Sequence, residues 1–445
     1  MNKINVLQVC NRLGIGGTEK ALQIFTENLD KSIFDVYVCG VMQGGEREKL
    51  LREKGFEVYI IDKDQQKLIK LMKEKNIQIV HIHRAGHEEP FVIMAAKKAK
   101  VPVIIETNVF GLVDNSQSGI LLDHHLFISK MCALRYQKWT RISNEEFFKT
   151  CKVLYNPVNL DDFEKNKISD TEIQKLKESL GINQDEPIIG RIGRPDIGKW
   201  GDICLDMMRY LIKKVPNVKY IVVGAPESTK DGFQKHEISK NLVFLKPLSP
   251  DEVIKFYNLV DVLAHSSKIG ESFGYTIAEA MAAQKPVIVN STPLSDNAQV
   301  ELIDNGITGF VANSPKDYAE VIGYLLKNKN KAREMGLAGY EKVKREYESK
   351  KTAKILEKIY IDLLRKKGIE FNDEIAKKYE KIEYSPSKED IYEFKREYEK
   401  RLKDCFGGAS IVYKFEIFGW KYFIDKPLII HGLKKLINAT ERRFR

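Results

Sequence analysis

Glu271–Ser272–Phe273–Gly274–Tyr275–Thr276–Ile277–Ala278–Glu279–Ala280–Met281 follows the apolar run Val260–Ala264 and opens a helical pattern. A strand that passes through a glycine into a helix is the repeating step of an open parallel sheet. Gly274 lets a ligand approach the backbone closely, and the unpaired amides of a helix start make an anion site. Glu271 lies in the loop and Glu279 about one turn into the helix. Both can then accept hydrogen bonds from vicinal hydroxyls of one ligand. Taken alone, two glutamates at this spacing also fit a Glu-rich surface.

Working outward, the same alternation fills the second half of the chain. Pro187–Ile192, Lys219–Val223, Leu242–Leu245, Val260–Ala264, Pro286–Val289 and Gly309–Val311 read as short buried strands. Asp202–Lys214, Pro250–Leu259, Thr276–Ala283 and Lys316–Lys327 read as the helices between them. The first half repeats the theme. Ile4–Val9, Val36–Val41, Val58–Ile61, Ile77–Ile82 and Val103–Glu106 are strands, and Glu19–Leu29, Glu46–Lys54, Gln66–Lys75 and Phe91–Lys100 are helices. Asn156–Asn159 and the polar run Asp161–Asp170 read as a linker. The expected fold is α/β, with two Rossmann-like doubly wound parallel-sheet domains across a cleft. Residues 1–165 form the first and 166–347 the second. A helix over 348–368 returns to the first, and 369–445 is a charged, then basic-aromatic extension. Ligands of such sheets bind beyond the carboxyl ends of the strands.

Composition narrows the class of protein. The chain has 445 residues with Lys plus Arg 73 against Asp plus Glu 62, a net charge of +11. That favours an anionic partner without choosing among nucleic acid, lipid and phosphorylated substrate. Cys10, Cys39, Cys132, Cys151, Cys204 and Cys405 have no paired spacing, which argues against a disulfide framework or a zinc site. Met1–Cys10 reads as a strand and not a signal peptide. No stretch approaches the ~20 apolar residues that span a bilayer. A cytoplasmic protein is expected, peripheral on the inner membrane face if it meets lipid.

Two further loops suit phosphate. Ile189–Gly190–Arg191–Ile192–Gly193–Arg194–Pro195–Asp196–Ile197–Gly198–Lys199 runs from a strand into a Gly-rich turn. Arg194 and Lys199 then offer a fork and a point charge for a diphosphate; a solvated basic loop reads the same way. Arg12–Leu13–Gly14–Ile15–Gly16–Gly17–Thr18–Glu19 joins the first strand to the first helix. Its amides suit phosphate and Thr18 suits an N-cap, although the dinucleotide Gly-x-Gly-x-x-Gly pattern is not met. Asp62–Lys63–Asp64 has the spacing of a metal-binding Asp-x-Asp pair, yet it sits where aspartate caps a helix.

Together these motifs resemble the retaining glycosyltransferases of family four, of GT-B fold, over roughly residues 4–365. The most specific part is Glu271 and Glu279 with Phe273–Gly274 between them and Lys285–Pro286–Val287–Ile288 after. Gly193–Arg194…Lys199, Gly16–Gly17–Thr18–Glu19 and Glu301…Asn305–Gly306…Thr308–Gly309–Phe310 support it. The resemblance implies transfer of a hexosyl or N-acetylhexosaminyl group from a nucleotide-diphosphate-sugar, with retention and without a metal or other cofactor. It also implies that Gly16 and Gly17 approach the distal phosphate and transferred sugar, and that Arg194 and Lys199 hold the diphosphate. Glu271, with the Phe273 and Gly274 amides, then meets sugar hydroxyls, Glu279 meets the ribose, and His83 in Val80–His81–Ile82–His83 lies beside the transferred sugar. Departures are Trp200, where relatives carry glycine, and Ser295–Gln299, where many have a Gly-Gly turn.

Phe406–Arg445 interleaves aromatics with cations, and Leu428–Ile437 suits an amphipathic helix. This composition fits an anionic membrane surface and a lipid-linked acceptor, or equally a tail packed back on the N-terminal domain. The net charge also suggests a nucleic-acid-binding module, but the cations are dispersed along Lys/Glu-rich helices and no DNA- or RNA-binding signature appears, so no nucleic-acid partner is expected. A same-fold epimerase, hydrolase or sugar-donor synthase remains a second enzymatic reading.

Overall fold

The computed structural model describes residues 3–234, 238–369 and 373–443. Met1, Asn2, Glu370 and Arg445, at the ends of stretches read above, lie outside them. The chain divides into two compact units, residues 1–157 with 346–395 and residues 158–345 with 396–445.

In the first unit, strands β1 (Ile4–Arg12), β2 (Phe34–Gln43), β3 (Glu57–Ile60), β4 (Ile79–Arg84), β5 (Val103–Asn108), β6 (His124–Phe127) and β7 (Cys151–Val153) pair in the order β3-β2-β1-β4-β5-β6-β7, all parallel. β4 and β5 are buried at every residue, as strands covered by helices on both faces must be. The strands β6 and β7 are absent from the sequence reading. His124-His125-Leu126-Phe127 lacks an apolar run; it becomes a strand because its backbone pairs with β5 and buries Leu126 and Phe127. The helix Ser349–Lys366 belongs to this unit: Tyr360 Oη meets His81 Nδ1 at 2.7 Å, and the Asp30 amide donates to Glu357.

In the second unit, β8 (Ile188–Ile192), β9 (Lys219–Val223), β10 (Leu242–Leu245), β11 (Val262–His265), β12 (Val287–Val289) and β13 (Gly309–Val311) pair in the order β10-β9-β8-β11-β12-β13, again all parallel. Both units are thus doubly wound Rossmann-like folds. In each, the order reverses between the first and fourth strands of the series, β1 beside β4 and β8 beside β11, which is where such sheets take ligands.

One expectation needs correction: the polar run after Asn159 is partly helical, Leu160–Lys165, because Leu160 is buried and anchors it. The charged part of the extension holds two helices, Asp373–Glu380 and Lys388–Lys403, separated around Pro386, which cannot continue a helix. Residues 396–445 belong to the second unit. The Phe406 amide donates to Val311 O at 2.7 Å, extending the edge at β13, and Tyr398 packs against Trp420 with the rings tilted by 57° and their centroids 4.5 Å apart. The tail forms helices Ile411–Phe423 and Pro427–Arg443. Among the described residues no helix is long and apolar enough to cross a membrane. The six cysteines are unpaired.

Candidate functional site

In the second unit the two motifs meet at the reversal point. β8 ends at Ile192, Gly193 follows it, and the short turn Ile197–Lys199 carries Lys199 back toward β11. Lys199 Nζ donates to Glu271 Oε2 at 3.0 Å and to Gly270 O at 2.9 Å. His265, the last residue of β11, lies with Nε2 3.2 Å from Glu271 Oε1. Gly270 is required where it stands, since its φ is +67° and a Cβ would sit 1.6 Å from Asp296 O. Gly274 has φ 104° and starts the helix Tyr275–Ala282 with no side-chain cap.

The electrostatics follow from this packing. Burial pushes the Glu271 carboxyl up, but His265 and Lys199 outweigh it and hold it down at about 2. Burial, with nearby Arg191, pushes His265 down to about 4, so at neutral pH the imidazole is uncharged and Lys199 is the partner charge. A carboxylate acceptor, an ammonium donor and a helix start without a side-chain cap then border one region.

Arg194 does not join that pair. It is exposed, and its side chain makes no hydrogen bond or ion pair among the described residues. Its carbonyl accepts from Trp200 Nε1 at 2.8 Å, and Arg191 lies over the Trp200 ring at 4.7 Å. Arg191 Nη2 also donates to Lys199 O at 2.6 Å and to Ser266 O at 3.0 Å. Trp200 and Arg191 therefore pin the loop that carries Arg194 and Lys199. Glu279 is buried one turn into its helix and accepts from Tyr257 Oη at 2.9 Å. Phe273 is buried against Tyr275.

The departure at Ser295–Gln299 supports the same loop. Gln299 Oε1 accepts from the Glu271 amide at 3.0 Å, the Ala298 amide donates to Glu271 O at 2.7 Å, and Asp296 Oδ2 accepts from Ser272 Oγ. His265, Gln299, Tyr257 and Arg191 were not singled out in the sequence. Arg191 and Gln299 stood inside quoted segments; His265 and Tyr257 were passed over, because the contact each makes is set by folding.

In the first unit, Gly16 precedes the helix Gly17–Asn28 and is its N-cap, so Thr18 is inside the helix and not its cap. His83 ends near the tip of β4, 2% exposed, with Nε2 2.7 Å from Gln8 Oε1 and its ring stacked on His81. Burial pushes it down to about 3. Asp64 caps the helix Gln65–Glu74, accepting from the Gln66 and Lys67 amides. Among the described residues no group of three or more His, Cys, Asp or Glu is arranged to hold a metal ion.

Two doubly wound parallel sheets in tandem, with basic and acidic side chains at the second sheet's reversal point, define the GT-B class. Residues 172–342, all in the second unit, match the family of glycosyl transferases group 1. Trehalose synthase of Thermococcus litoralis is 31% identical over 226 residues, 48% of this chain and 53% of that protein. The chain thus spans about half the length of that relative. Alpha-monoglucosyldiacylglycerol synthase of Acholeplasma laidlawii is 23% identical over 355 residues, 72% of this chain and 83% of that protein. The crystal structure of Anabaena HepE in complex with UDP-glucose superposes with a TM-score of 0.65 at 16% identity, covering 82% of this chain and all of that one.

Proposed function

We propose that the chain is a retaining, metal-independent glycosyltransferase that moves a hexosyl or N-acetylhexosaminyl group from a nucleotide-diphosphate-sugar to a hydroxyl of a sugar or lipid-linked glycan. The observation that carries this reading is the Lys199–Glu271 pair beside the helix start at Gly274, which has no side-chain cap, on strand ends of a unit that matches a glycosyl transferase family. UDP-glucose in the similarly folded HepE supports a nucleotide-sugar donor.

The chemistry needs charge, placed before reaction. The acceptor oxygen bonds to the anomeric carbon as the bond from that carbon to the diphosphate oxygen breaks. The electron pair stays on the diphosphate, and the acceptor's proton passes to that departing oxygen. Lys199, Arg194 and the amides after Gly274 stabilise the growing negative charge, Glu271 and the Phe273–Gly274 backbone hold sugar hydroxyls, and Glu279 holds the ribose. Gly16, Gly17 and His83 serve the phosphate and transferred sugar, as the family resemblance implies. Attack and departure on one face retain the anomeric configuration with no covalent nucleophile. Capping by Asp64 supports the metal-free reading, because its carboxylate is already used by two amides.

The alpha-monoglucosyldiacylglycerol synthase relative and the tail helices support a lipid-linked acceptor at an anionic membrane surface. The test is product analysis with UDP-, GDP- and ADP-sugars in EDTA, with the anomer read by NMR. An α-linked donor is expected to give an α-linked product at an EDTA-independent rate. An inverted product, or activity abolished by EDTA and restored by a divalent ion, would contradict the proposal.

A further inference from the structure

Residues 291–299 hold the loop that carries Glu271. Besides the two bonds to the Glu271 backbone, the Asp296 amide donates to Ile269 O at 3.2 Å, and Gln299 Nε2 donates to Thr292 Oγ1 at 2.9 Å. The segment takes its shape from Asn297, which is fully buried. Asn297 Oδ1 accepts from the Thr292 amide at 2.8 Å. Its Nδ2 donates to Ser291 Oγ and to Tyr398 Oη, each at 3.1 Å. Those two partners use both hydrogens of the side-chain amide. A buried donor stripped of its acceptor is costly, so Tyr398 fixes how Asn297 sits and, through it, the segment.

Tyr398 lies 101 positions further along the chain, beyond the stretch that carries the family resemblance, and is itself buried against Trp420. Other residues of 396–445 grip the same region. Lys434 Nζ donates to Ser295 Oγ at 2.8 Å, and Asn305 Nδ2 donates to Asp404 Oδ1 at 3.0 Å. Gly419 packs so closely that a Cβ there would lie 2.8 Å from Leu294 Cδ2. Glu279 has a brace of its own, Tyr257.

We infer that residues 396–445 brace the Glu271 loop, and that Tyr398 is a positioning residue that holds Glu271 on the transferred sugar through Asn297. The inference rests on the reading of Glu271 as the sugar contact. Tyr398 touches no substrate; it sets how well the site tells a sugar nucleotide from the bare diphosphate.

Calorimetric titration of the full chain tests this, with UDP, GDP and ADP and with UDP-glucose, UDP-N-acetylglucosamine, GDP-mannose and ADP-glucose. The quantity read is the affinity for the sugar nucleotide divided by that for its bare diphosphate. Tyr398→Phe removes one hydroxyl and keeps the ring on Trp420. It is expected to lower the ratio about fivefold, the net value of one hydrogen bond, and to leave the affinity for the bare diphosphate unchanged. Glu271→Gln is expected to lower the ratio too. Adding Tyr398→Phe to Glu271→Gln is expected to lower it no further, because two residues acting through one contact are not additive. Lys434→Met, which removes the half-buried contact to Ser295, is expected to lower the ratio about twofold.

Equal losses for sugar nucleotide and bare diphosphate, an unmoved ratio in folded Tyr398→Phe, or full additivity with Glu271→Gln would each overturn the inference. Should Tyr398→Phe unfold in a thermal melt, Lys434→Met decides, and an unmoved ratio there overturns it. Wild type that binds no sugar nucleotide, or a ratio that Glu271→Gln leaves alone, would instead bring down the reading of Glu271, and the brace with it.

Discussion

Lys199 reaches Glu271 across 72 positions of chain, and the pairing sets what each can do. With Lys199 as counter-charge, Glu271 stays ionised far below neutral pH, ready to accept from a sugar hydroxyl. A diphosphate arriving nearby can take the ammonium in place of the carboxylate, so the pair is a held donor and a held acceptor. Lys199→Ala is expected to cut turnover at least tenfold, and removal of one such donor typically raises the barrier by about 2.7–4 kcal/mol. Arg194→Ala is expected to do the same through the exposed guanidinium. The check is steady-state turnover beside a thermal melt showing that each variant folds; near-normal turnover in both would remove the diphosphate clamp. Lys199, Glu271 and Glu279 were singled out from sequence because each follows a glycine beyond a strand end. His265 and Tyr257 were not, and Gln299 stood only within the departing segment, because what each contributes is a contact that folding makes.

Among elements, strands with an apolar run were readable, and β6 and β7, which lack one, were not. β8 and β9 declare themselves in Ile188–Ile192 and Lys219–Val223, whereas β6 begins with two histidines and β7 has three residues. Their strand character comes from pairing, a tertiary effect that no local pattern carries. The helix Ile411–Phe423 shows the limit from the other side. Tyr413, Ile417, Trp420 and Ile424, on its inner face and at its end, are buried in the second unit, while Ile411, Phe415, Phe418 and Tyr422 follow the same helical spacing and are 50–75% exposed. A helix apolar on both faces leaves one face for a partner, and Lys414 and Lys421 border the exposed one. Phosphatidylglycerol-containing liposomes are expected to carry the protein upward on flotation, and Phe415→Ser with Phe418→Ser to reduce the floated fraction several-fold. Equal flotation of wild type and double variant would contradict a membrane role for this face.

For the whole molecule, the tandem of two doubly wound units was readable, since the strand–helix alternation stops at Asn156–Asn159 and resumes near Pro187. Beyond the helix over 348–368, which the sequence reading returned to the first domain, the course of the C-terminal segment was not. The chain leaves the second unit at residue 346, contributes Tyr360 and Glu357 to the first, and rejoins the second at 396. Composition marks such segments as helical but does not say which sheet they cover.

The account stands on one claim, that the second unit holds a nucleoside diphosphate on Lys199 without an ion. Calorimetric titration of the full chain with UDP, GDP and ADP in EDTA tests it most directly. At least one of the three is expected to bind wild type and to lose at least tenfold in affinity with folded Lys199→Ala. No binding by any of them, or equal binding by the variant, would contradict it.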